Sequence, residues 1–325
     1  SERKEIYKEY TQKLIQNGKA YYAFDTTEEI ETMKKNLGGD NPASIKYDFN
    51  TRSQMKNSLT LSDEQTKHLL NTNTAYVIRL LVPKQEKVLI HDRIRGEVIF
   101  DTAELDDKVL MKSDGMPTYH LANVVDDHLM EITHVIRGEE WLPSLPLHYL
   151  LYKAFGWEAP EFAHLPLILK PIGNGKLSKR DGDKMGFPVF PLDWKNEDGT
   201  ISSGYREKGF FPEAVVNFLA LLGWNDGTDQ EIFSLEELCE KFDLNRVHKA
   251  GAKFDPEKNK WFNHQYLQKQ SDESLAEAFK KELEKKDTSP EISGSLSVTD
   301  EKLTKIVSLI KERANFVSDF WELSD

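Results

Sequence analysis

The chain's 325 residues suffice for two or three domains, and 43 Lys plus Arg against 55 Asp plus Glu give a net charge of −12, which argues against a non-specific polyanion binder. The single cysteine, Cys239, rules out an internal disulfide and a cysteine-based zinc site, and it fits a reducing cytosol. No apolar run approaches ~20 residues and no basic-then-apolar leader opens the chain, so a soluble, cytoplasmic protein is expected; the start at Ser1 rather than Met suggests a cut or processed chain.

Residues 1–19 read as a helix, because Ile6, Tyr10 and Leu14 recur every four positions and Asn17-Gly18 supplies a stop. This helix suits the tail of a larger unit, and its stripe needs an apolar partner. Ala20 to Phe24 is a short apolar run, after which Asp25-Thr26-Thr27 caps a charged helix ending at Gly38-Gly39. From about residue 40 to 107 the chain is polar and β-rich. Ala75 to Val82 is a strand stopped by Pro83, and Val88–Ile90 and Val98–Phe100 are further strands around Arg95-Gly96.

Residues 108–181 alternate in the manner of an α/β unit. The pattern predicts a strand at Val109–Met111, a helix from Thr118 to His128, a buried strand from Ile132 to Ile136, a helix from Ser144 to Phe155 and a strand from Leu165 to Leu169. The strands near 109 and 132 are expected to belong to one sheet whose other members come from a segment outside these residues. Ligands of open α/β sheets sit beyond the carboxyl ends of strands. Arg137 follows one such strand and Gly173-Asn174-Gly175-Lys176-Leu177-Ser178-Lys179-Arg180 follows another, so both are expected to face one crevice. Two glycines free that loop to bend, and three cations within five residues suit a polyphosphate. The spacing is not that of a P-loop, and alone it also fits a solvated basic turn.

Gly182 to Gly209 is Gly/Pro-rich, with a turn signal at Asn196-Glu197-Asp198-Gly199. Glu213 to Leu222 is an apolar helix, and Ser234-x-x-Glu237 is a capping box opening another. From 272 the pattern is helical and charged, broken at Asp287-Thr288-Ser289-Pro290, resumed at Asp300, and ending in Lys311-Glu312-Arg313-Ala314-Asn315-Phe316. His120, His128, His134, His148 and His164 match no zinc spacing and read as core or surface residues. Asp126-Asp127 reads as an exposed helix end rather than a magnesium site.

The upstream text gives the basic loop its meaning. Pro117-Thr118-Tyr119-His120-Leu121-Ala122-Asn123-Val124-Val125-Asp126-Asp127-His128, then Val135-Ile136-Arg137-Gly138-Glu139-Glu140-Trp141, Phe155-Gly156-Trp157 and His164-Leu165-Pro166-Leu167-Ile168-Leu169 precede it in order. This order and spacing closely resemble glutamyl-tRNA synthetases, class I aminoacyl-tRNA synthetases of bacterial type, along nearly the whole chain. The resemblance implies an α/β plus α fold. It divides the chain into the tail of a first Rossmann half (1–20), a β-rich acceptor-binding insertion (21–107), a second Rossmann half with the signature loop (108–181), a helical stem-contact domain (182–270) and the start of a helical anticodon-binding domain (271–325).

The resemblance places Lys176 and Lys179 on the ATP phosphates, with Ser178 bonding a phosphate oxygen and Arg180 suiting the glutamyl group. It puts Arg137, Tyr119 and Asn123 on the glutamate, and Glu140, Trp141 and the backbone around Leu167 and Ile168 on the ATP-binding wall. Arg52, Lys56, Arg79, Arg93, Arg95 and Arg313 become candidate tRNA contacts, with ordinary surface cations as the alternative. The implied reaction is ligation of L-glutamate to tRNA(Glu) through glutamyl-adenylate, with ATP as co-substrate, Mg²⁺ carried by ATP, no zinc, no membrane and a monomeric protein. The family's His-x-Gly-His-like motif and first substrate arginine have no match in these residues, and the helical bundle expected after Phe316 is short. The 325 residues alone are therefore expected to be inactive. The rival readings are a non-catalytic tRNA-binding fragment or paralogue, the shorter relative that glutamylates a modified tRNA base, and glutamine as substrate. Residues 210–325 disfavour the shorter relative, and Arg137 disfavours glutamine.

Overall fold

The computed structural model describes residues 2–287 and 299–324. The chain divides into two compact units, Ser1–His164 and Leu165–Asp325. The boundary between the two units falls inside the segment 108–181.

The first unit runs α1 (Lys4–Gln16), β1 (Ala20–Ala23), α2 (Thr27–Gly38), α3 (Asp63–Asn71), β2 (Val77–Leu80), β3 (Lys87–Asp92), β4 (Gly96–Asp101), β5 (Val109–Met111), α4 (Tyr119–Leu129), β6 (His134–Gly138), α5 (Leu145–Phe155) and β7 (Glu161–Leu165). Local signals set many of the bounds. Thr26 and Ser62 cap α2 and α3 through reciprocal bonds with Glu29 and Gln65, and Gly156 ends α5 in the left-handed region at φ 74°. The predicted partner of the first helix lies within this unit. Leu14 is fully buried, Tyr10 meets Phe155 and Trp157 edge-on at 5.7 and 5.2 Å, and the Tyr7 hydroxyl donates to Asp126 at 2.8 Å. Asp126 also pairs with Arg3 at 2.8 Å, so it is an anchoring carboxylate rather than an exposed helix end.

Two sheets share the unit, in the orders β1-β2-β5 and β4-β3-β7-β6. The first is antiparallel, with Tyr21 opposite Arg79 and Ile78 opposite Met111. In the second, β3 is antiparallel to β4 and parallel to β7, where Asp92 stands opposite Phe162. The strands near 109 and 132 thus lie in different sheets, contrary to the sequence expectation. Long-range pairing decides this, and local alternation does not report it. The strand expected to be buried at 132–136 is instead β6, at the end of its sheet order. Ile136 is half exposed there, because an outer strand can leave one face uncovered.

The second unit runs β8 (Ile168–Leu169), α6 (Lys179–Met185), β9 (Trp194–Lys195), β10 (Ile201–Ser202), α7 (Pro212–Leu221), α8 (Leu235–Lys241), β11 (Ala252–Lys253), α9 (Pro256–Lys269), α10 (Asp272–Asp287), α11 (Asp300–Ile310) and α12 (Phe320–Leu323). The single strand expected at Leu165–Leu169 is split at Pro166, which has no N–H to donate; β7 and β8 belong to different sheets. β8 pairs in parallel with β11, and β9 and β10 form the hairpin signalled at 196–199. Ala214, Phe218, Phe254, Phe262 and Tyr266 form one buried cluster, and Leu275, Phe279, Leu303, Val307 and Phe320 belong to another. The predicted break at 287–290 lies, apart from Asp287, outside the described residues.

Candidate functional site

In the first unit the predicted glutamate-side residues do come together. Tyr119 begins α4, so Asn123 falls one turn later on the same face. Arg137 is the penultimate residue of β6, and Trp141 follows in a short 3₁₀ segment. The Tyr119 and Trp141 rings are 4.8 Å apart, with His148 of α5 6.0 Å from Tyr119. Asn123 donates to Asp127 at 2.9 Å, which fixes its amide.

Arg137 is half-buried and held by two imidazoles. Its Nε donates to His164 Nε2 at 3.0 Å, and its Nη1 lies 3.1 Å from His148 Nδ1. Its Nη2 is buried with no hydrogen-bond partner among the described residues. Burial lowers the Arg137 pKa, while Tyr119 and Asp127 favour the cation. Gly138 leaves room for the Glu140 side chain, which lies where a Cβ at 138 would stand. The histidines read from sequence as core or surface residues include two, His148 and His164, that are buried against this arginine. Their chemical type was visible; their partner, 11 or 27 residues away in sequence, was not.

His148 has a consequence for stability. Burial first, then the positive charge of Arg137, pushes its pKa down from 6.5 to about 3. The unfolded ring takes up a proton near 6.5 and the folded ring only near 3, so the unfolded state binds the extra proton in that window. The stabilisation is complete above 6.5 and is lost as pH falls toward 3. His148→Gln should therefore flatten the acid side of a plot of urea midpoint against pH; an unchanged slope would mean that His148 does not titrate this way.

In the second unit the loop 170–178 is a stapled turn. Gly173 and Gly175 sit at φ 83° and 98°, where a side chain would be strained. Lys170 N donates to Gly175 O at 3.1 Å, Leu177 N donates to Ile168 O at 2.8 Å, and Leu169 bridges Lys176. Leu177 packs against the cluster of Phe218, Phe254 and Phe262. Asp181 clamps the far side: it takes the Ser178 amide at 2.8 Å and hydroxyl at 2.5 Å, and pairs with Lys170 at 2.9 Å. Those bonds, Ser178 first, lower the Asp181 pKa to about 2. The single hydroxyl hydrogen of Ser178 is thus committed to Asp181, so the expected phosphate bond must use its lone pairs or displace Asp181. Lys176, Lys179 and Arg180 are exposed on this frame, with Lys179 Nζ 5.1 Å from the Phe190 ring centroid. The Leu167 carbonyl accepts from Ala252, and the Ile168 carbonyl from Leu177, so the backbone of the predicted ATP wall serves the fold as well.

The expected phosphate-binding arginines of 40–107 fare differently. Arg52 pairs with buried Asp107 at 3.0 Å and donates to the Val82 carbonyl. Arg79 is itself buried, donates to the Asp107 carbonyl at 2.9 Å and lies 3.9 Å over the Tyr47 ring. Arg95 pairs with Glu139 at 2.7 Å and donates to the His164 carbonyl. All three are engaged within the first unit, by carboxylates and carbonyls far away in sequence. Arg93 pairs with Glu161 on the surface, whereas Lys56 and Arg313 are exposed.

The comparisons with known proteins agree with this architecture. The family description "tRNA synthetases class I (E and Q), catalytic domain" matches residues 1–261. A glutamate–tRNA ligase of Flavobacterium johnsoniae is 65% identical over 325 residues, all of this chain and 63% of that protein. One from Porphyromonas gingivalis is 56% identical over 326 aligned positions, 99% of this chain and 62% of that protein. Among solved structures, a glutamate tRNA ligase from Elizabethkingia meningosepticum, described as in complex with its amino acid, superposes with a TM-score of 0.93 at 52% identity, over 99% of this chain and 62% of that one. The glutamate-tRNA synthetase of Elizabethkingia anophelis gives 0.91 at 52%, over 99% and 63%. The chain thus spans somewhat less than two thirds of the length of these relatives. With a matched span covering most of its length and a fold shared at this level of identity, the chain belongs to the class I tRNA synthetase family specific for glutamate and glutamine.

Proposed function

We propose that the protein ligates L-glutamate to tRNA(Glu), with ATP and its Mg²⁺ as co-substrate, acting as a monomer in the cytoplasm. The observation that carries the glutamate assignment is Arg137: a half-buried guanidinium held by uncharged acceptors, with Nη2 lacking a partner among the described residues. Such a group matches a side-chain carboxylate better than a neutral amide. In the first step an oxygen of the glutamate α-carboxylate attacks the α-phosphorus of ATP, and the bond to pyrophosphate breaks. In the second, a 3′-terminal ribose hydroxyl of the tRNA attacks the acyl carbon and AMP leaves. No side-chain nucleophile is needed, so the residues act by placement and charge. Lys176, Lys179 and Arg180 meet the negative charge that shifts onto pyrophosphate, and Trp141 with Glu140 borders the nucleotide. Exposed Arg313 is assigned to the tRNA anticodon end.

Arg137→Lys tests the reading. Lysine removes the planar fork and should cost about 1.5–3 kcal/mol of glutamate binding while weakening discrimination against glutamine. Equilibrium binding of labelled glutamate, with glutamine as competitor, measures both; unchanged affinity returns Arg137 to a structural role. Aminoacylation by a polypeptide of the relatives' full length should show a raised KM for tRNA in Arg313→Ala alone.

A further inference from the structure

Five side chains of the first unit form one directed hydrogen-bond chain. Asp92 Oδ2 lies 2.6 Å from His164 Nδ1, and His164 Nε2 takes the Arg137 Nε hydrogen at 3.0 Å. Arg137 Nη1 lies 3.1 Å from His148 Nδ1, and His148 Nε2 lies 3.0 Å from His120 Nδ1. Asp92, His164 and His148 are all almost completely buried.

A guanidinium donates and cannot accept. Each imidazole nitrogen facing Arg137 must therefore present a lone pair. That makes both rings neutral and fixes their tautomers in opposite senses. His164 carries its hydrogen on Nδ1 and gives it to Asp92. His148 carries its hydrogen on Nε2 and gives it to His120, whose own hydrogen is then on Nε2. Asp92 is held in turn, since its Oδ1 accepts the backbone N–H groups of Ile94 and Arg95 at 3.0 and 2.8 Å. Burial alone would raise the Asp92 pKa, but the His164 and backbone hydrogen bonds outweigh it and the carboxyl lies below its ordinary value.

We propose that Asp92, His164 and His148 are positioning residues for Arg137: two neutral imidazoles in opposite tautomers aim the guanidinium by acceptors that carry no charge, leaving its charge and its Nη2 edge for a substrate carboxylate. This rests on the carboxylate-binding reading of Arg137 given above. A carboxylate partner would orient the group too, but it would cancel the charge the substrate needs. Among the described residues no carboxylate is hydrogen-bonded to or ion-paired with Arg137. The other titratable groups facing the chain are Tyr119, Asp127 and Tyr152 around Arg137, and Asp106 and Lys108 beside His120. At the far end Arg95, neutralised by Glu139, donates to the His164 carbonyl.

The test begins with the imidazole nitrogen shifts of the ¹⁵N-labelled 325-residue chain at neutral pH. His164 should show a protonated Nδ1 and an unprotonated Nε2, with His148 and His120 the reverse. An imidazolium or the opposite tautomer at His164 or His148 overturns the proposal. Asp92→Asn then offers an amide N–H to His164, flips it to the Nε2–H form and should weaken glutamate binding about tenfold. His148→Phe, with no acceptor, should weaken binding comparably, and His148→Gln should recover most of the loss. The two variants at 148 decide the matter if Asp92→Asn does not fold. Should these variants bind like wild type while Arg137→Lys binds poorly, positioning is overturned and the carboxylate reading stands; if Arg137→Lys also binds like wild type, the reading of Arg137 itself has failed.

Discussion

Lys179→Ala should lower glutamate-dependent ATP–pyrophosphate exchange by on the order of 10²–10³ fold, in a polypeptide of the relatives' full length carrying these residues. Lys179 stands exposed at the start of α6, on a turn whose base is fixed by Asp181, Leu177 and two left-handed glycines. The ammonium is therefore presented by a rigid frame, and its resting contact with the Phe190 ring is worth only about 0.5–1 kcal/mol at an exposed site. A cation that meets charge developing on departing pyrophosphate acts in the transition state rather than in ground-state binding. The loss should consequently appear in kcat, with the KM values for ATP and glutamate changing much less. A variant that raised the KM for ATP at constant kcat would make Lys179 a simple binding residue, and wild-type exchange would remove it from the chemistry.

Asp107→Ala should destabilise the first unit by about 3–5 kcal/mol. The Asp107 carboxylate is inaccessible to solvent and accepts from Tyr21 Oη at 2.6 Å, Arg52 Nη1 at 3.0 Å and Val82 N at 3.1 Å, while the Asp107 carbonyl takes Arg79. Burial raises its pKa, against the opposing hydrogen bonds and the Arg52 charge, so the intact pair is no great source of stability. Breaking it differs, because an enclosed guanidinium, a phenol hydroxyl and an amide all lose their acceptor at once. Urea unfolding of the 325-residue chain gives the number, and a loss below about 1 kcal/mol would mean that water replaces the carboxylate freely. The same geometry predicts that Arg52→Ala reduces RNA affinity only as far as it unfolds the protein.

The sequence made most elements legible for reasons that are local. The α1 stripe, the caps at Thr26 and Ser234, the stop at Gly156 and the hairpin signal at 196–199 all report on neighbours within a few residues. The residue types of the candidate site were legible through the family resemblance; Tyr119 lies beside both Trp141 and Arg137, and Asn123 follows one helical turn after Tyr119. What stayed hidden were long-range polar partners. Asp107 claims arginines 28 and 55 positions away, and Asp92 meets His164 across 72. A cation in a sequence carries no mark of whether its counter-ion is solvent, RNA or a buried carboxylate. The split at Pro166 is the exception, a local signal inside the apolar run from Leu165 to Leu169: a missing N–H divides it between two sheets.

The Asp181 clamp and the His148 cradle respond to acid in different ranges. Asp181, lowered from 3.8 to about 2, contributes stability above its ordinary pKa and loses it only as pH falls toward 2. His148 begins to lose its contribution already below 6.5. Mild acid therefore acts selectively on stability: near pH 5 the folded His148 is still neutral and keeps its contact with Arg137, but its contribution against unfolding is already falling, while that of the Asp181 clamp is intact. Urea midpoints measured at pH 7 and pH 5 would read the two contributions apart without altering a single residue.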